Sequence, residues 1–397
     1  MKPEKITIME SIDGMKDELI QLSHNIHDNP ELGFKEFKAV EFISKVLENH
    51  GFTVEKGYFG LETSFRARKP GKAPGPRIAF LAEYDALPGV DHGCGHNIIA
   101  TTAVGAFLGL SSIMENYAGE VNIIGCPAEE NGAGKTLLVD RGGFDDVDFA
   151  LMMHPSTGDG NIIARGGRAA TDIKVDFHGK TAHSSVPSSG INALSAAINL
   201  FNQIDLLRPT FEVQDNINGI ILEGGKAPNI IPDLAKCDFS LRAETWHRLD
   251  QLTEMVKGCI ARAESLTGAK ADVVVGPVYA ERYPNMPMCE AFKNNMAELG
   301  IEMRLPDPKK LYGSSDVGNV SIKIPAIHDY LSISKENLRG HSVEVAAAAA
   351  SEMGDTICIK GAKGLAMTGF DILESEEFRK VINDYHEKQI PDFYKKK

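Results

Sequence analysis

The sequence predicts an α/β protein in which a small ferredoxin-like domain is inserted into a larger domain with a partly parallel sheet. Apolar strands alternate with helices before residue 155, and the same alternation resumes near the end of the chain. Between these parts the element order is β-α-β-β-α-β, the ferredoxin-like arrangement. A chain of 397 residues also exceeds what one ordinary core organises. We therefore expect domain segments at 1–168, 169–283 and 284–397, with the middle segment inserted.

Helices and short strands alternate in the first segment. Apolar side chains recur at helical spacing at Met15, Leu19, Leu22 and Ile26. Asn29-Pro30 ends this helix, and a second helix is predicted over 35–49. The apolar runs that follow are bounded by turn residues, which predicts strands at 52–56, 63–68, 78–84, 121–126 and 149–154.

An uncharged run from Asn97 to Met114 follows the strand at 78–84. Its 18 residues are at the lower limit for a membrane span. Thr101 and Gly105 make it a poor lipid-facing helix, so we predict a helix buried in the protein.

The N-terminus has no apolar signal segment and the six cysteines form no CxxC pair. These features favour a reduced, cytoplasmic protein without a membrane anchor.

The inserted domain shows a different pattern from residue 170 onward. Ile173, Val175 and Phe177 alternate with polar residues, as in a strand with one exposed face. The other elements are predicted as a helix at 191–206, strands at 218–223 and 236–244, a helix at 249–267 and a strand at 271–275. Glycine- and proline-rich stretches flank this domain and predict hinges. The third segment adds a strand near 324–332 and helices near 343–369 and 375–395.

The formal net charge is −13 and the sequence pI is about 5.4. Nucleic-acid binding depends on phosphate contacts by basic residues, so this excess of negative charge disfavours it.

Three familiar sequence motifs are incomplete or absent. Before GAGKT (132–136), Glu129 occupies the position of the first glycine of a phosphate-binding loop. His386-Glu387 does not continue to the zinc-peptidase motif HExxH, and the serine-hydrolase motif GxSxG does not occur.

The strongest cluster of polar residues is AEYDALPGVDHGCGHN, at 82–97. It follows the strand at 78–84, so Asp85 lies at a strand's carboxyl end, where open α/β sheets bind ligands. Cys94 and His96 are separated by one glycine, and a thiolate with an imidazole suits zinc or a similar divalent ion. By itself, a CxH pair is a weak signal for a metal site.

Two further groups stand at the ends of apolar strands. Glu129 and Glu130 follow VNIIGC, and His154 ends FALMMH. Adjacent carboxylates are commonly loop charge, and a single histidine is commonly structural. Three such groups together nonetheless predict a shared metal site, because ligands bind where parallel strands end. His341 precedes a helix, and its side chain either caps that helix or faces the cleft.

Together, HGCGHN, PAEE and SSDVGNVS resemble the motifs of a family of dinuclear, metal-dependent amide hydrolases. The family contains carboxypeptidase G, aminoacylase, hippurate hydrolase and aminobenzoyl-glutamate hydrolase. The similarity extends from HDNPELGFKE (27–36) to RGHSVEVAAAA and is closest to the branch of aminobenzoyl-glutamate hydrolase, Xaa-Arg-type dipeptidases and HmrA-type peptidases. Asn97 stands where hippurate-hydrolase relatives carry Asp, which weakens transfer of their substrate preference.

The resemblance implies a metallopeptidase-type catalytic domain with an inserted lid and dimerisation domain. The implied ligands of two divalent ions, zinc or manganese, are Cys94, His96, Glu130, His154 and His341. Glu129 corresponds to the general base, and Asp85 to the carboxylate that orients a ligand histidine. His183 corresponds to a lid residue that reaches the active site of a partner subunit. Asn229 and Arg242 correspond to lid residues that bind the substrate's carboxylate.

Several of these assignments compete with structural interpretations. His183 could be an ordinary strand-end histidine, Arg242 a surface charge and Asn229 a turn cap. Asp316 either holds its own loop or touches the site. His92 stands beside the implied ligands, and the resemblance assigns it no role.

We predict a metallo-amidohydrolase or peptidase that cleaves an amide bond in an N-acyl amino acid or a short peptide. It would act as a homo-oligomer, a dimer or a tetramer, through the lid, with no nucleic-acid or membrane partner. Two alternatives are a deaminating aminohydrolase and a non-catalytic metal- or carboxylate-binding module on the same fold. A binding module needs no general base, so the intact Glu129 argues for an enzyme.

Overall fold

The computed structural model describes residues 1–310 and 312–396, so that Leu311 and Lys397 of the predicted third segment lie outside the description. The α-helices are α1 (Pro3–Gly14), α2 (Lys16–His27), α3 (Phe37–Asn49), α4 (His96–Ser111), α5 (Gly134–Asp140), α6 (Ala193–Leu207), α7 (Trp246–Thr267), α8 (Met286–Glu298), α9 (Val317–Lys323), α10 (Val343–Ala349), α11 (Glu352–Glu374) and α12 (Glu376–Gln389). The strands are β1 (Val54–Lys56), β2 (Phe65–Pro70), β3 (Arg77–Ala82), β4 (Glu120–Gly125), β5 (Phe149–Ser156), β6 (Ala169–His178), β7 (Ala182–His183), β8 (Asn216–Glu223), β9 (Ile230–Ile231), β10 (Leu234–Ala243), β11 (Lys270–Val275) and β12 (Ala326–Ser332).

Two compact units divide the chain. The main unit comprises Met1–Gly166 with Arg282–Lys397, and the inserted unit is Gly167–Glu281. The main unit contains a six-stranded sheet of order β1-β2-β4-β3-β5-β12. Strands β4, β3, β5 and β12 run parallel, while β1 and β2 are antiparallel at one edge. Because parallel strands end on the same side of a sheet, the loops after β3, β4 and β5 share one edge.

The uncharged run forms α4, and every residue of this helix is buried in the main unit. It packs against α1 and α11. A Cβ at Gly105 would lie 2.9 Å from Ala362 Cβ, and one at Gly109 would lie 2.5 Å from Ile12 Cγ1, so the glycines allow close approach of the helices. The prediction of a buried helix is confirmed. None of the described helices combines the length and the hydrophobicity needed to cross a membrane.

The structure corrects one predicted helix and adds others. The helix expected over 343–369 is two helices, because α10 ends at Ala349 and Ser351 starts α11. The Ser351 side chain accepts the Gly354 N–H at 3.1 Å, and such an N-terminal cap is the local signal for the break. Helices α1, α5, α8 and α9 were not predicted from the sequence. Helices α5 and α9 are only seven residues long, and α1 buries only Ile8 and Ile12. In α8, Met288, Phe292 and Met296 do recur at helical spacing, so its pattern was available in the sequence.

The inserted unit contains an antiparallel sheet of order β11-β6-β10-β8. Helices α6 and α7 pack against this sheet, and the apolar cluster between them includes the buried Ile173, Val175 and Phe177 of β6. Asp172 and Lys174 alternate with them and are exposed. The predicted alternation is confirmed, and β6, α6, β8, β10, α7 and β11 follow the ferredoxin-like order. A separate two-stranded ladder joins β7 to β9.

Candidate active site

The ends of three parallel strands carry the predicted site residues of the main unit. Asp85 follows β3, Glu129 and Glu130 follow β4, and His154 lies in the last part of β5. His96 is the first residue of α4, which begins after the loop from β3. The fold therefore brings these residues to one edge of the sheet, where open α/β sheets bind their ligands.

Asp85 orients His96. Oδ1 of Asp85 lies 2.9 Å from His96 Nδ1, and Oδ2 accepts the backbone N–H of Glu130 at 2.9 Å. Since a carboxylate only accepts, Nδ1 keeps its proton and Nε2 is the nitrogen that takes either a second proton or a metal ion. Burial opposes a charge on His96, but the Asp85 carboxylate prevails and raises the pKa of His96 well above its ordinary value.

Gly95 allows Cys94 and His96 to converge. Its φ is +77°, in the left-handed region that favours glycine, and a Cβ there would lie only 2.6 Å from Pro155 Cγ. With this backbone conformation, Cys94 Sγ lies 3.5 Å from His154 Nε2. The glycine between the two candidate ligands is therefore required by geometry.

His154 also presents Nε2 to the site, because its other ring nitrogen is engaged in a hydrogen bond. Its Nδ1 lies 2.6 Å from the carbonyl oxygen of the next residue, so Nδ1 carries the proton and Nε2 faces Cys94. Burial, the charge of His96 and the guanidiniums of Arg165 and Arg282 lower the pKa of His154 well below its ordinary value. A neutral ring with an available lone pair is the form that binds metal.

Three carboxylates surround the outward nitrogen of His96. Its Nε2 lies 3.5 Å from Glu83 Oε2, 3.7 Å from Glu130 Oε1 and 4.0 Å from Glu129 Oε2. Burial and the charges of the other two carboxylates raise the pKa of Glu129 well above its ordinary value. Glu83 was not predicted as a site residue, although an acidic residue directly after an apolar strand is the same signal that identified Asp85.

His341 points toward these carboxylates. Its Nε2 lies 3.6 Å from Glu130 Oε2, and 59% of its side chain is exposed. The helix that follows is capped by Ser342, whose hydroxyl accepts the Val345 N–H at 3.4 Å. Of the two roles left open by the sequence, His341 therefore faces the site. Its φ of +56° is uncommon for a residue other than glycine, and such strain is frequent at functional sites.

A buried ion-pair network lies behind the carboxylates. The Lys135 ammonium contacts the Glu83 carboxylate and lies 2.7 Å from Asp316 Oδ1. Burial opposes the charge of Lys135, but Asp316 and Glu83 prevail and raise its pKa well above the ordinary value. Asp316 therefore acts on the site through Lys135 and Glu83. This role of Lys135 was not predicted from the sequence, because its partners come from distant parts of the chain.

Glu36 supports the loop that carries Glu129. It is buried, and its Oε1 accepts the Ala128 N–H at 2.8 Å. Ala128 has a φ of +56°, so this hydrogen bond holds a backbone conformation that alanine rarely adopts. Glu36 ends the motif HDNPELGFKE, and no role was predicted for it from the sequence. His92 lies 3.1 Å from the carbonyl oxygen of Ile26 and, within the described chain, belongs to no ligand group.

The inserted unit holds the remaining predicted residues. His183 is exposed, and the Ser184 N–H donates to the carbonyl oxygen of Asn229 at 3.0 Å, so His183 and Asn229 are neighbours. The Ser185 N–H donates to His183 Nδ1 at 3.1 Å, which leaves the proton of the neutral ring on Nε2. Arg242 lies in β10 with a partly exposed side chain.

Among the described residues, three groups of side chains bring potential ligand atoms within 4.8 Å of one another. They are Cys94 with His96 and His154, Cys94 with Glu130 and His341, and Glu83 with His96 and Glu129. His96 Nε2 and Glu130 Oε1 are buried and have no hydrogen-bond partner within the described chain. Thiolate, imidazole and carboxylate donors suit zinc and related divalent ions, so this donor set fits a metal centre.

Comparison with known proteins agrees with this geometry. Residues 165–265 match the family model of the M20 peptidase dimerisation domain. The chain is 35% identical to the Xaa-Arg dipeptidase of Mus musculus, over 92% of this chain and 88% of that protein. The chain belongs to the M20 peptidase family.

Further M20 proteins support this identification. The chain is 30% identical to one of the polypeptides of the p-aminobenzoyl-glutamate hydrolase of Escherichia coli (strain K12), over 67% of this chain and 60% of that protein. The crystal structure of a dinuclear metal-binding M20 peptidase from Bacillus subtilis has the same fold, with a TM-score of 0.66, 20% identity and coverage of 90% of this chain and 99% of that one. The family and the fold inferred from the motifs are confirmed. The protein is a hydrolase of the metallopeptidase and amidohydrolase type, with an inserted dimerisation domain.

Proposed function

We propose that this M20 protein hydrolyses the amide bond of an N-acyl amino acid or a short peptide, with Glu129 as the general base. The observation that carries the proposal is the position of Cys94, which belongs to two ligand groups at once. Two groups that share one ligand suit a pair of metal ions. Glu129 Oε2 lies 4.0 Å from His96 Nε2, and this proximity to a candidate ligand supports its assignment as the base.

The residues proposed to hold two divalent ions, zinc or manganese, are Cys94, His96, Glu130, His154 and His341. Cys94 is common to the group with His96 and His154 and to the group with Glu130 and His341. When bound, the ions polarise the amide carbonyl and lower the pKa of the attacking water. Asp85 keeps His96 Nε2 directed at the site through its hydrogen bond to the other ring nitrogen.

Glu129 is proposed to take a proton from the attacking water and to return it to the leaving amine. Its pKa is raised by burial and by the negative charges of Glu83 and Glu130. Divalent cations held by the neighbouring ligands would offset those charges and so favour the ionised form of Glu129, which is able to accept a proton.

The inserted unit, predicted at 169–283, is proposed to act as a lid on the site. His183 Nε2 carries the proton of the neutral ring, because Nδ1 accepts the Ser185 N–H, and the Nε2–H group would stabilise the oxyanion. Asn229 is a neighbour of His183, and with Arg242 it would hold the substrate's carboxylate. These roles rest on the family motifs and on the local geometry of the inserted unit.

We further propose that the lid serves the partner subunit of a homodimer. The match to a peptidase dimerisation domain supports this assembly. So does β8, an edge strand whose Ile220 and Leu222 are 58% and 60% exposed, because exposed apolar edge strands favour pairing with another chain.

The six cysteines are all free thiols, in line with the reduced cytoplasm proposed from the sequence.

The test uses the full-length protein loaded with zinc or manganese. It is incubated with N-acyl amino acids, N-aryl amides and dipeptides, and products are read by mass spectrometry with a separate assay for ammonia. Glu129→Gln is run beside Glu55→Gln, an exposed control on β1, and beside a chelated sample. We expect chelator-sensitive cleavage by the wild type and Glu55→Gln, and a loss of about 10²–10⁴-fold in Glu129→Gln with unchanged metal content.

Other outcomes point elsewhere. Normal turnover by Glu129→Gln would overturn the assignment of the base. Bound metal without cleavage of any amide would favour a non-catalytic metal- or carboxylate-binding module. Ammonia as the product would favour a deaminating aminohydrolase.

A further inference from the structure

The main unit contains two guanidiniums, one buried and one half-buried, that have no acidic partner among the described residues. Arg282 is only 7% exposed, and Arg165 is half-buried. Within the described chain, neither forms an ion pair with a carboxylate, although surface arginines such as Arg304 do. Buried charges in proteins are normally paired, so a pair of unpaired cations needs an explanation.

Arg282 uses its N–H groups to hold neighbouring side chains and backbone in place. One terminal nitrogen lies 2.7 Å from the Tyr330 hydroxyl and 2.6 Å from His328 Nδ1, and the other donates to the carbonyl oxygen of Gly166 at 2.7 Å. These contacts fix the Tyr330 ring. Arg282 is thus a positioning residue whose positive charge remains uncompensated.

Arg165 is held in a different way, by aromatic faces. Its guanidinium carbon lies 4.5 Å from the ring centroid of Tyr312 and 4.2 Å from that of Tyr330. Its Nε is buried and has no hydrogen-bond partner among the described residues. Stacking occupies the flat faces of a guanidinium and leaves its N–H edge able to donate to a carboxylate.

This cluster lies next to the candidate metal centre. The Tyr330 ring is 5.1 Å from the ring of His154, and His328 is 5.3 Å from it. His154 is one of the proposed metal ligands. Tyr330 thus contacts both the Arg165 guanidinium and the ring of His154, so the side chain of an amide substrate at the metal centre would extend beside this cluster.

We infer that Arg165, stacked on Tyr312 and Tyr330, binds a substrate carboxylate beside His154, so that the enzyme favours acidic amide substrates over basic ones. This inference rests on the amide hydrolysis proposed above. The carboxylate is a second one, besides that assigned to Asn229 and Arg242 of the inserted unit. A cationic substrate side chain at this position would be repelled by the positive charges of Arg165 and Arg282. The basic specificity in the name of the Xaa-Arg dipeptidase relative is therefore not expected for this chain.

The test measures binding separately from turnover. Metal-loaded Glu129→Gln protein is titrated calorimetrically with N-acetyl-L-glutamate, N-acetyl-L-glutamine and Nα-acetyl-L-lysine. Arg165→Met is added to that background, with Arg304→Met as a matched surface control. We expect the glutamate derivative to bind at least about tenfold more tightly than the glutamine derivative, and the lysine derivative more weakly than either. Arg165→Met should bring the glutamate-to-glutamine ratio close to one, and Arg304→Met should leave it unchanged.

A second variant guards against misfolding. Arg165→Lys keeps the charge without the planar fork, and it should retain a reduced preference for the glutamate derivative. A ratio near one in the Glu129→Gln background would overturn the inference. A ratio that survives Arg165→Met would also overturn it. An equal loss of affinity for all three probes would do the same, because Arg165 would then bind the α-carboxylate that they share.

Wild-type cleavage of the same three probes, with and without chelator, separates this inference from the proposed function. Amide cleavage without charge preference overturns only the role of Arg165. A glutamate preference that depends on Arg165, without cleavage of any probe, supports the carboxylate site and overturns the proposed hydrolysis of such amides.

Discussion

The Asp316 carboxylate accepts two hydrogen bonds from one residue, Lys135: one from Nζ at 2.7 Å and one from the backbone N–H at 2.8 Å. Both side chains are fully buried, and the Lys135 ammonium also contacts Glu83. Glu83 in turn lies 3.5 Å from Nε2 of the candidate ligand His96. One lysine thus links the loop before α9 to the carboxylates of the site.

Lys135→Met should therefore be strongly destabilising. It leaves Glu83 and Asp316 buried without their cation, and removal of one partner from a buried ion pair costs about 3–5 kcal/mol of unfolding free energy. The measurement is urea unfolding at neutral pH. Lys56→Met is the control, because the exposed pair of Lys56 with Glu41 should contribute no more than about 1 kcal/mol. Equal stability of the two variants would contradict the role assigned to Lys135.

Asp85→Asn should weaken metal binding by about 10–100-fold, the usual effect of losing a carboxylate behind a ligand histidine. Both Asp85 oxygens accept hydrogen bonds, from His96 and from the Glu130 N–H, and an amide has only one oxygen to offer. Competition against a fluorescent chelator measures the affinity. Asp159→Asn, at a fully exposed side chain, should bind metal like the wild type. An unchanged affinity in Asp85→Asn would show that His96 does not need this partner.

Gly95→Ala should lose metal as well as stability. Gly95 and Gly89 have nearly equal φ values, +77° and +76°, so alanine strains the backbone by about 1–2 kcal/mol at either position. Only at Gly95 does the new Cβ also meet Pro155 Cγ, at 2.6 Å, whereas nothing lies within 4 Å of it at Gly89. We expect both variants to melt at lower temperature and only Gly95→Ala to show reduced metal content. Full metal loading of Gly95→Ala would contradict the proposed convergence of Cys94 and His96.

The buried Asp329 should make stability fall between about pH 4 and pH 7. Burial raises the pKa of its carboxyl to about 7, although its Oδ1 accepts the Ala164 N–H at 2.8 Å. The unfolded chain releases this proton near pH 3.9, so within the window the folded state binds more protons, and rising pH removes stability. Asp329→Asn cannot titrate. From about pH 5 to pH 8, urea unfolding should show a larger loss for the wild type than for the variant, by about 1–3 kcal/mol. Parallel pH profiles would rule out this contribution.

Mixing two inactive variants should restore activity if the lid acts on the partner subunit. Glu129→Gln and His183→Ala each lack one proposed catalytic group. In a heterodimer, one of the two sites then has Glu129 together with His183 from the other chain. After exchange of subunits at equal amounts, about a quarter of the wild-type rate is expected. His178→Ala, at an exposed histidine of the same unit, should be fully active alone. No recovery, with heterodimers demonstrated by mass spectrometry, would contradict the proposed exchange of lids.

Local patterns were sufficient to predict much of the fold. The alternation of Ile173, Val175 and Phe177 follows directly from a strand with one buried face, and it is present in β6. Asp85 and Glu129 stand out as polar residues directly after apolar strands, and parallel strands end at the same edge. The break between α10 and α11 was missed because apolar periodicity continues across it, and only the cap at Ser351 reveals it.

The supporting contacts of the site could not be predicted in this way. Lys135 and Asp316 are 181 residues apart, and Glu36 and Ala128 are 92 apart. A side chain's partner across such a separation depends on how helices and strands pack, and no local pattern records that packing. For the same reason, Arg165 attracts no notice in the sequence, although its stacked and unpaired guanidinium is conspicuous in the structure.

The sequence alone was sufficient for the family, the α/β class and the candidate ligands, because these depend on residue types and on short spacings such as that of Cys94 and His96. The tertiary structure decided how those residues are used. It assigned Nε2 of His96 and His154 to the site, turned His341 toward Glu130, and placed Lys135 between two carboxylates. The physical reason is burial: a charge or a lone pair acquires a role only when the folded chain removes water from it and leaves it specific partners.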